Sequence, residues 1–219
     1  MFLWLLMTAA GFLSGSVMYA YFIPKWIRGV DVRQGHEDEN PGGTNAVDTA
    51  GLPIGITCII LDLAKAFAPV FVAVSVLGIR GVTLAPVIVA PVLGHAFSPF
   101  MRFKGGKAVA SSFGALLGAI GISWAVFILV LAMLIFQFAL VLKPNSAKVL
   151  AGYACASIAA FLIEPLPEIK IAMLLICFIV CYKHVRRFDS GGIGLGVGPF
   201  SVSYEDRELK FAGPGVHKK

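Results

Sequence analysis

Predominantly apolar residues fill 2–23, 53–78, 82–100, 108–142, 149–163 and 169–182, and polar residues collect in the stretches between them. A membrane-crossing helix needs roughly 20 largely apolar residues, so most of these runs predict one span each. The run 108–142 is too long for one. A straight helix over it would measure about 50 Å, against a hydrocarbon core of ~30 Å. Gly114, Gly118, Gly121 and the AIGIS stretch offer places to break it. Splitting it into a short helix over 108–120 and a full one over 123–142 gives seven spans.

Charge orients them. Cations concentrate in 24–52, 101–107 and the C-terminal tail, and seven passes place all three on the cytoplasmic side. Lys143 and Lys148 then also lie inside and EPLPE (164–168) outside, as the positive-inside rule requires. Six passes would put KHVRR (183–187) outside. The first run has no basic residue before it, and Lys25 and Arg28 follow it, so it reads as a span rather than a secretory leader. The predicted fold is an all-α membrane protein, a seven-transmembrane-helix bundle with a short fourth helix, the N-terminus outside and the C-terminus cytoplasmic. Residues 1–188 form this domain. Residues 189–219 are a Gly-rich cytoplasmic tail in which FSVSYEDRELKFAG has the alternation of a small hairpin, and His217 reads as disordered.

Composition agrees with the class. Hydrophobic residues make up 58% of the 219 and charged residues 14%, where a soluble domain has about a quarter charged. The net charge of +6 reads as a topology signal, and no nucleic-acid partner is expected. Cys58, Cys155, Cys177 and Cys181 all fall in apolar runs without paired metal spacing, which predicts no disulfide and no metal. Cys177 and Cys181, one helical turn apart, read as packing residues.

Three polar segments share the predicted cytoplasmic face: 28–51, 102–114 and 182–188. NPGGTN (40–45) presents glycine amides and the side chains of Thr44 and Asn45 ahead of a span, an arrangement that suits an anion at a helix N-terminus. It is equally an ordinary turn and cap. FKGGK (103–107) lacks Walker spacing, yet two lysines flanking two glycines make a concavity suited to phosphate. His95 in GHAFSPF and His184 in KHVRR are each a candidate base or a satisfied interfacial residue. His36 reads as a solvated loop residue. Asp62 and Lys65 in LDLAK stand at i, i+3, so they can pair inside the membrane, first of all as structural support.

In this order the segments resemble the bacterial membrane glycerol-3-phosphate acyltransferases that use acyl phosphate. The matching pieces are GFLSGSVMYAYFI with Gly15-Ser16, DVR (31–33), NPGGTN with Gly51, LDLAK, GHAFSPF, FKGGK and His184. The resemblance implies transfer of a fatty acyl group from acyl phosphate to the 1-hydroxyl of glycerol 3-phosphate, giving lysophosphatidic acid at the cytoplasmic face of the cell membrane. It implies neither coenzyme A, a metal nor any other cofactor. Ser16, Lys104 and His184 are the expected catalytic residues. Asn40, Gly42, Thr44, Asn45, His95, Gly105, Gly106 and Lys107 are the expected substrate-binding residues, NPGGTN and FKGGK forming two phosphate cradles. The partners implied are the two substrates and membrane lipids; the oligomeric state stays open.

The departures from the family pattern are specific. Its first loop usually reads GSGNPGATN with an Arg three positions on; here EDENPGGTN is followed by Asp48. Glu37, Asp38 and Glu39 therefore crowd a phosphate site, and anions at such range repel by about a kcal/mol or more. The last glycine of GGKG is Ala108, the glycine after DxxK is Ala66, and Arg-His-x-x-Asn becomes Lys183-His184-Val185-Arg186-Arg187, with Arg186 or Arg187 the available replacement cation. Two alternatives follow: a paralogue passing the acyl group to a less anionic acceptor, and a non-catalytic protein that binds lipid or acyl phosphate. A transporter is disfavoured, because the polar residues gather at one face rather than at the midplane.

Overall fold

The computed structural model describes residues 2–186 and the strand residues 194–197, 200–205 and 208–212. Arg187, His217 and the boundary at 188–189 lie outside them. The described helices are α1 (Leu3–Ser16), α2 (Tyr19–Arg28), α3 (Gly43–Ala50), α4 (Leu52–Phe71), α5 (Leu84–Ala96), α6 (Val109–Gly118), α7 (Ala125–Leu134), α8 (Asn145–Ile163) and α9 (Pro167–Arg186). Four stretches are long and apolar enough to cross a membrane: Leu3–Arg28, Leu52–Val76, Leu84–Met101 and Asn145–Ile163. Val109–Gly118 and Ala125–Ala139 are shorter apolar helices, so the run 108–142 breaks between Gly118 and Ala125. α9 keeps its charges at its two ends and an apolar middle.

The first span is not the uninterrupted helix its sequence predicts. α1 stops at Ser16 and α2 starts at Tyr19, which frees backbone carbonyls at a depth where water is scarce. Neighbouring side chains satisfy them. Lys65 Nζ donates to the carbonyl of Val17, and Ser98 Oγ donates to that of Ser16 at 2.6 Å. Ser14 Oγ donates back to the carbonyl of Lys65 at 2.7 Å. Lys65 also pairs with Asp62, Nζ to Oδ1 2.7 Å, both side chains 2% exposed. The i, i+3 pair read from LDLAK thus holds the broken helix against α4.

α1 and α5 pack backbone to backbone. A Cβ on Gly15 would stand 2.1 Å from the carbonyl oxygen of Pro91, and one on Gly94 would stand 2.2 Å from that of Phe12. Small residues are what allow such approach between membrane helices. The main core runs from Val70 and Leu84 through Ile88, Leu116 and Leu129 to Tyr153, Ile169 and Ile176.

The predicted helix 123–142 ends early. After α7 the chain makes a wide turn over Ile135–Ala139 and then a strand, β1 (Leu140–Lys143). Pro144 follows Lys143, and a residue before proline is disfavoured in the helical region. β1 pairs antiparallel with β2 (Gly194–Val197), which continues to β3 (Phe200–Glu205) and β4 (Glu208–Ala212) in a four-stranded sheet of order β1-β2-β3-β4. The helical body therefore carries a small sheet that ties the chain after α7 to the tail.

Candidate active site

A cavity of about 700 Å³ lies where the loop before α3, the loop before α6, the start of α8 and the end of α9 converge. Its polar wall contains His36, Glu37, Asp38, Asn40, Gly42, Thr44, Asn45, Asp62, His95, Lys107, Asn145 and His184; Ile59, Leu63, Phe113, Met133 and Val149 line its apolar side. A cavity lined by both ionic and apolar side chains suits an amphiphilic substrate.

Local sequence builds each wall. Pro41-Gly42 ends the loop in extended backbone, φ −113° and ψ 167° at Gly42, and α3 begins at Gly43 with its N-terminal turn at the cavity. Asn45 in that turn reaches back: Nδ2 donates to the carbonyl of Asn40 at 2.9 Å and to Asp38 Oδ1 at 3.1 Å. Asp38 also accepts from the backbone N–H of Asn40 at 3.1 Å and pairs with Lys107, Oδ2 to Nζ 2.9 Å. Burial would raise the Asp38 carboxyl pKa, but the bonds from Lys107, Asn45 and the Asn40 N–H outweigh it and hold it below its ordinary value. Further out, Arg33 Nε donates to Asp31 at 2.9 Å, with its guanidinium carbon 4.7 Å from the Tyr21 ring centre. This is what the DVR segment does: it pins the loop to α2. The Arg33 hydrogen bond lowers the Asp31 carboxyl pKa.

On the opposite wall the FKGGK loop folds over the end of α5. Gly106 N–H donates to the His95 carbonyl at 3.1 Å, and a Cβ on Gly106 would stand 2.2 Å from His95 Nε2. Lys183 Nζ locks the loop to α9, donating to the carbonyls of Ala96 at 2.8 Å and Gly105 at 3.1 Å. Ala108 then turns the chain into α6 with φ +63°, a left-handed conformation that costs a residue with a Cβ roughly 1–2 kcal/mol. Ala108→Gly is accordingly expected to raise thermal stability by about 1 kcal/mol, read as an upward shift of the unfolding temperature in detergent; a fall would contradict this.

His184 Nδ1 donates to the carbonyl of Val180 at 2.8 Å, which makes Nε2 the basic nitrogen of the ring. His95 is 3% exposed. Its Nδ1 has no hydrogen-bond partner among the described residues and stands 3.9 Å from Asp62 Oδ1.

The structure thus gathers seven of the expected residues on one cavity: Asn40, Gly42, Thr44, Asn45, His95, Lys107 and His184. It does not bring Ser16 there. That side chain is fully buried, its Oγ donating to the Phe12 carbonyl at 2.7 Å. Gly105 packs against the His95 and Ala96 backbone and Gly106 against the His95 ring, and neither lines the cavity. Lys104 is exposed and faces a second cleft with Phe97, Phe103, Tyr182, Lys183 and Arg186, which Glu37, Asp38 and Glu39 also line. His36, expected in solvent, is half-buried and lines the main cavity. Asp48 is exposed on α3. Asn145 was not foreseen as a cavity residue, and Asp38 was expected beside the phosphate site only as a repelling charge, not as the partner of Lys107. A carboxylate two residues before Asn-Pro carries no pattern that announces a lysine partner 69 positions later.

Residues 5–190 match the family model described as glycerol-3-phosphate acyltransferase. A glycerol-3-phosphate acyltransferase of Pseudothermotoga lettingae is 33% identical over 85% of this chain and 89% of its own. One of Vibrio campbellii is 30% identical over 85% and 90%. The alignment with glycerol-3-phosphate acyltransferase 2 of Thermotoga maritima is 44% identical but spans 51% of this chain and 56% of that protein; the chain thus spans about half the length of that relative. Among solved structures, the integral membrane glycerol 3-phosphate acyltransferase PlsY (YgiH) in its glycerol 3-phosphate form superposes with a TM-score of 0.73 and 27% identity, over 84% of this chain and 88% of that one. Its lysophosphatidic acid form gives 0.70 and 26% over the same shares.

Proposed function

Because the chain belongs to the glycerol-3-phosphate acyltransferase family, we propose that it transfers a fatty acyl group from acyl phosphate to the 1-hydroxyl of glycerol 3-phosphate. The hydroxyl oxygen attacks the acyl carbonyl, the bond from the carbonyl carbon to the phosphate oxygen breaks, and lysophosphatidic acid and inorganic phosphate leave. The hydroxyl proton passes to the phosphate oxygens, so no Ser-His-Asp arrangement is needed. The observation that carries this reading is the convergence of Asn45, Lys107 and His184 on one cavity that apolar side chains also line. The two PlsY forms, one with glycerol 3-phosphate and one with lysophosphatidic acid, support the acceptor and the product.

In this mechanism the Lys107 ammonium and the N-terminal amides of α3 stabilise charge building on the carbonyl oxygen and the leaving phosphate. His184 Nε2 orients the attacking hydroxyl, and the apolar side chains of Phe113, Met133 and Val149 take the start of the acyl chain. Lys104 and Arg186 lie on the neighbouring cleft, where Glu37, Asp38 and Glu39 offset their charge. The bundle makes seven passes with the N-terminus outside and the C-terminus inside, so that this end faces the cytoplasm across the cell membrane. The cation-rich loops and the short helix α6 support that count.

One observation favours a second acceptor class. Lys107, the cation of the main cavity wall, is paired with Asp38, so a less anionic alcohol meets a partly neutralised wall. Donor and acceptor are tested together with purified protein. Palmitoyl phosphate and palmitoyl coenzyme A are offered at equal concentration, each with glycerol 3-phosphate or with glycerol. Turnover of palmitoyl phosphate with glycerol 3-phosphate is expected. Turnover of the coenzyme A ester alone would refute the donor, and acylation of glycerol alone would refute the acceptor.

A further inference from the structure

The Asp38 carboxylate is held as a bound anion would be. It accepts from a side-chain amide (Asn45), a backbone N–H (Asn40) and an ammonium (Lys107), at 3.1, 3.1 and 2.9 Å. That donor set (backbone amide, side-chain amide and lysine at the start of a helix) is the one that recognises phosphate. Asp38 reaches it from an adjacent loop rather than from solution. A second buried group lines the same cavity, its Nδ1 3.9 Å from Asp62 Oδ1. His95, 3% exposed, lines this cavity with an Nδ1 that has no hydrogen-bond partner among the described residues. A buried ring nitrogen left this way is costly unless something else satisfies it.

We infer that Asp38 is a specificity-determining residue: its carboxylate occupies an anion seat of the cavity, and a phosphorylated substrate binds by displacing it. The inference rests on the reading of this cavity as a phosphate-handling site. It gives the departure of this chain from its family a physical sense. Three carboxylates beside a phosphate site would only repel if they stood free. Asp38 instead supplies the seat's own occupant, so the seat stays ordered and its lysine stays in place between turnovers. The consequence is a built-in competitor. Phosphate affinity is lowered by whatever Asp38 gains from the three donors, and the Asp38 side chain has to turn away from them when substrate enters.

The test uses the full chain in detergent micelles with inorganic phosphate as the probe. Binding is read as the phosphate-dependent rise in unfolding temperature of each variant against itself, so a variant of lower intrinsic stability still reports. Asp38→Asn and Asp38→Ser are each expected to bind phosphate about tenfold more tightly than the unsubstituted protein, equivalent to roughly 1.4 kcal/mol. Adding Lys107→Gln to either is expected to abolish the gain. In steady-state kinetics the same two variants should lower KM for glycerol 3-phosphate by a similar factor with kcat little changed, a split that a merely structural role would not produce. Unchanged or weaker phosphate binding in both variants would overturn the proposal. So would failure of both to fold, which would make Asp38 a folding residue. The functional reading fails separately. Tighter phosphate binding with no acyl transfer by any variant leaves the role of Asp38 standing and removes the reaction. Transfer by the unsubstituted protein with KM unmoved in both variants does the reverse.

Discussion

Lys107→Ala is expected to lower acyl transfer by roughly 10²–10³-fold, the usual loss when one preorganised donor to a developing oxyanion is removed from a water-poor site. Lys107 is the lysine of FKGGK that reaches the main cavity, and its side chain is 10% exposed. Its distance to Asp38 places it at the polar wall rather than at the apolar side. The fall should appear in kcat as well as in kcat/KM, because the charge acts as the phosphate leaves. Folding should suffer less, since Asp38 is only partly buried and keeps its bonds to Asn45 and Asn40. Lys170→Ala, toward the opposite end of α9 from His184, serves as the control and should keep the full rate. Equal losses from the two substitutions would refute the placement of the site.

The second large effect is on stability. Asp62→Ala leaves the Lys65 ammonium buried with the Val17 carbonyl but without its carboxylate, and removing one partner of a buried ion pair costs about 3–5 kcal/mol. The damage should also reach the α1–α2 break, which Lys65 holds to α4. The double variant Asp62→Ala/Lys65→Met removes both charges, and is expected to recover a large part of the loss. Unfolding in detergent, followed by intrinsic tryptophan fluorescence, measures all three proteins. An unfolding temperature for Asp62→Ala equal to that of the unsubstituted chain would show that the pair does not hold this junction.

Much of this architecture is legible in the sequence, for reasons of scale. The distribution of apolar runs locates the membrane helices, and the excess length of 108–142 forces a break that the structure places between Gly118 and Ala125. The spacing of Asp62 and Lys65 puts them on one helix face whatever the rest of the fold does. The break at Val17–Met18 is not legible locally. No proline stands there, and the helix can stop only because Lys65 and Ser98 come from distant segments to satisfy its carbonyls. The strand at Leu140–Lys143 was hidden for a similar reason, since its pairing partner lies in the tail.

The site divides in the same way. Asn45, Lys107 and His184 belong to motifs that read equally as an anion site or as a turn, cap or interfacial residue, and the structure brings all three to one cavity. Ser16 sits in an equally suggestive motif, yet its hydroxyl is spent within α1 on the Phe12 carbonyl. Gly105 and Gly106 serve by having no side chain, letting the loop lie on His95 rather than touching the cavity. For Asp38, sequence gives the sign of the charge but not its direction. Repulsion from a phosphate site and occupation of that site are indistinguishable until the distances to Asn45 and Lys107 are known.

The central claim is that this cavity joins an acyl group to glycerol 3-phosphate. It is tested most directly by supplying purified protein with palmitoyl phosphate and radiolabelled glycerol 3-phosphate and measuring both products. The account predicts labelled lysophosphatidic acid and inorganic phosphate appearing one for one, with both lost in Lys107→Ala and both kept in Lys170→Ala. Folded protein that forms no labelled lipid, or that releases phosphate without acylating the acceptor, would contradict it.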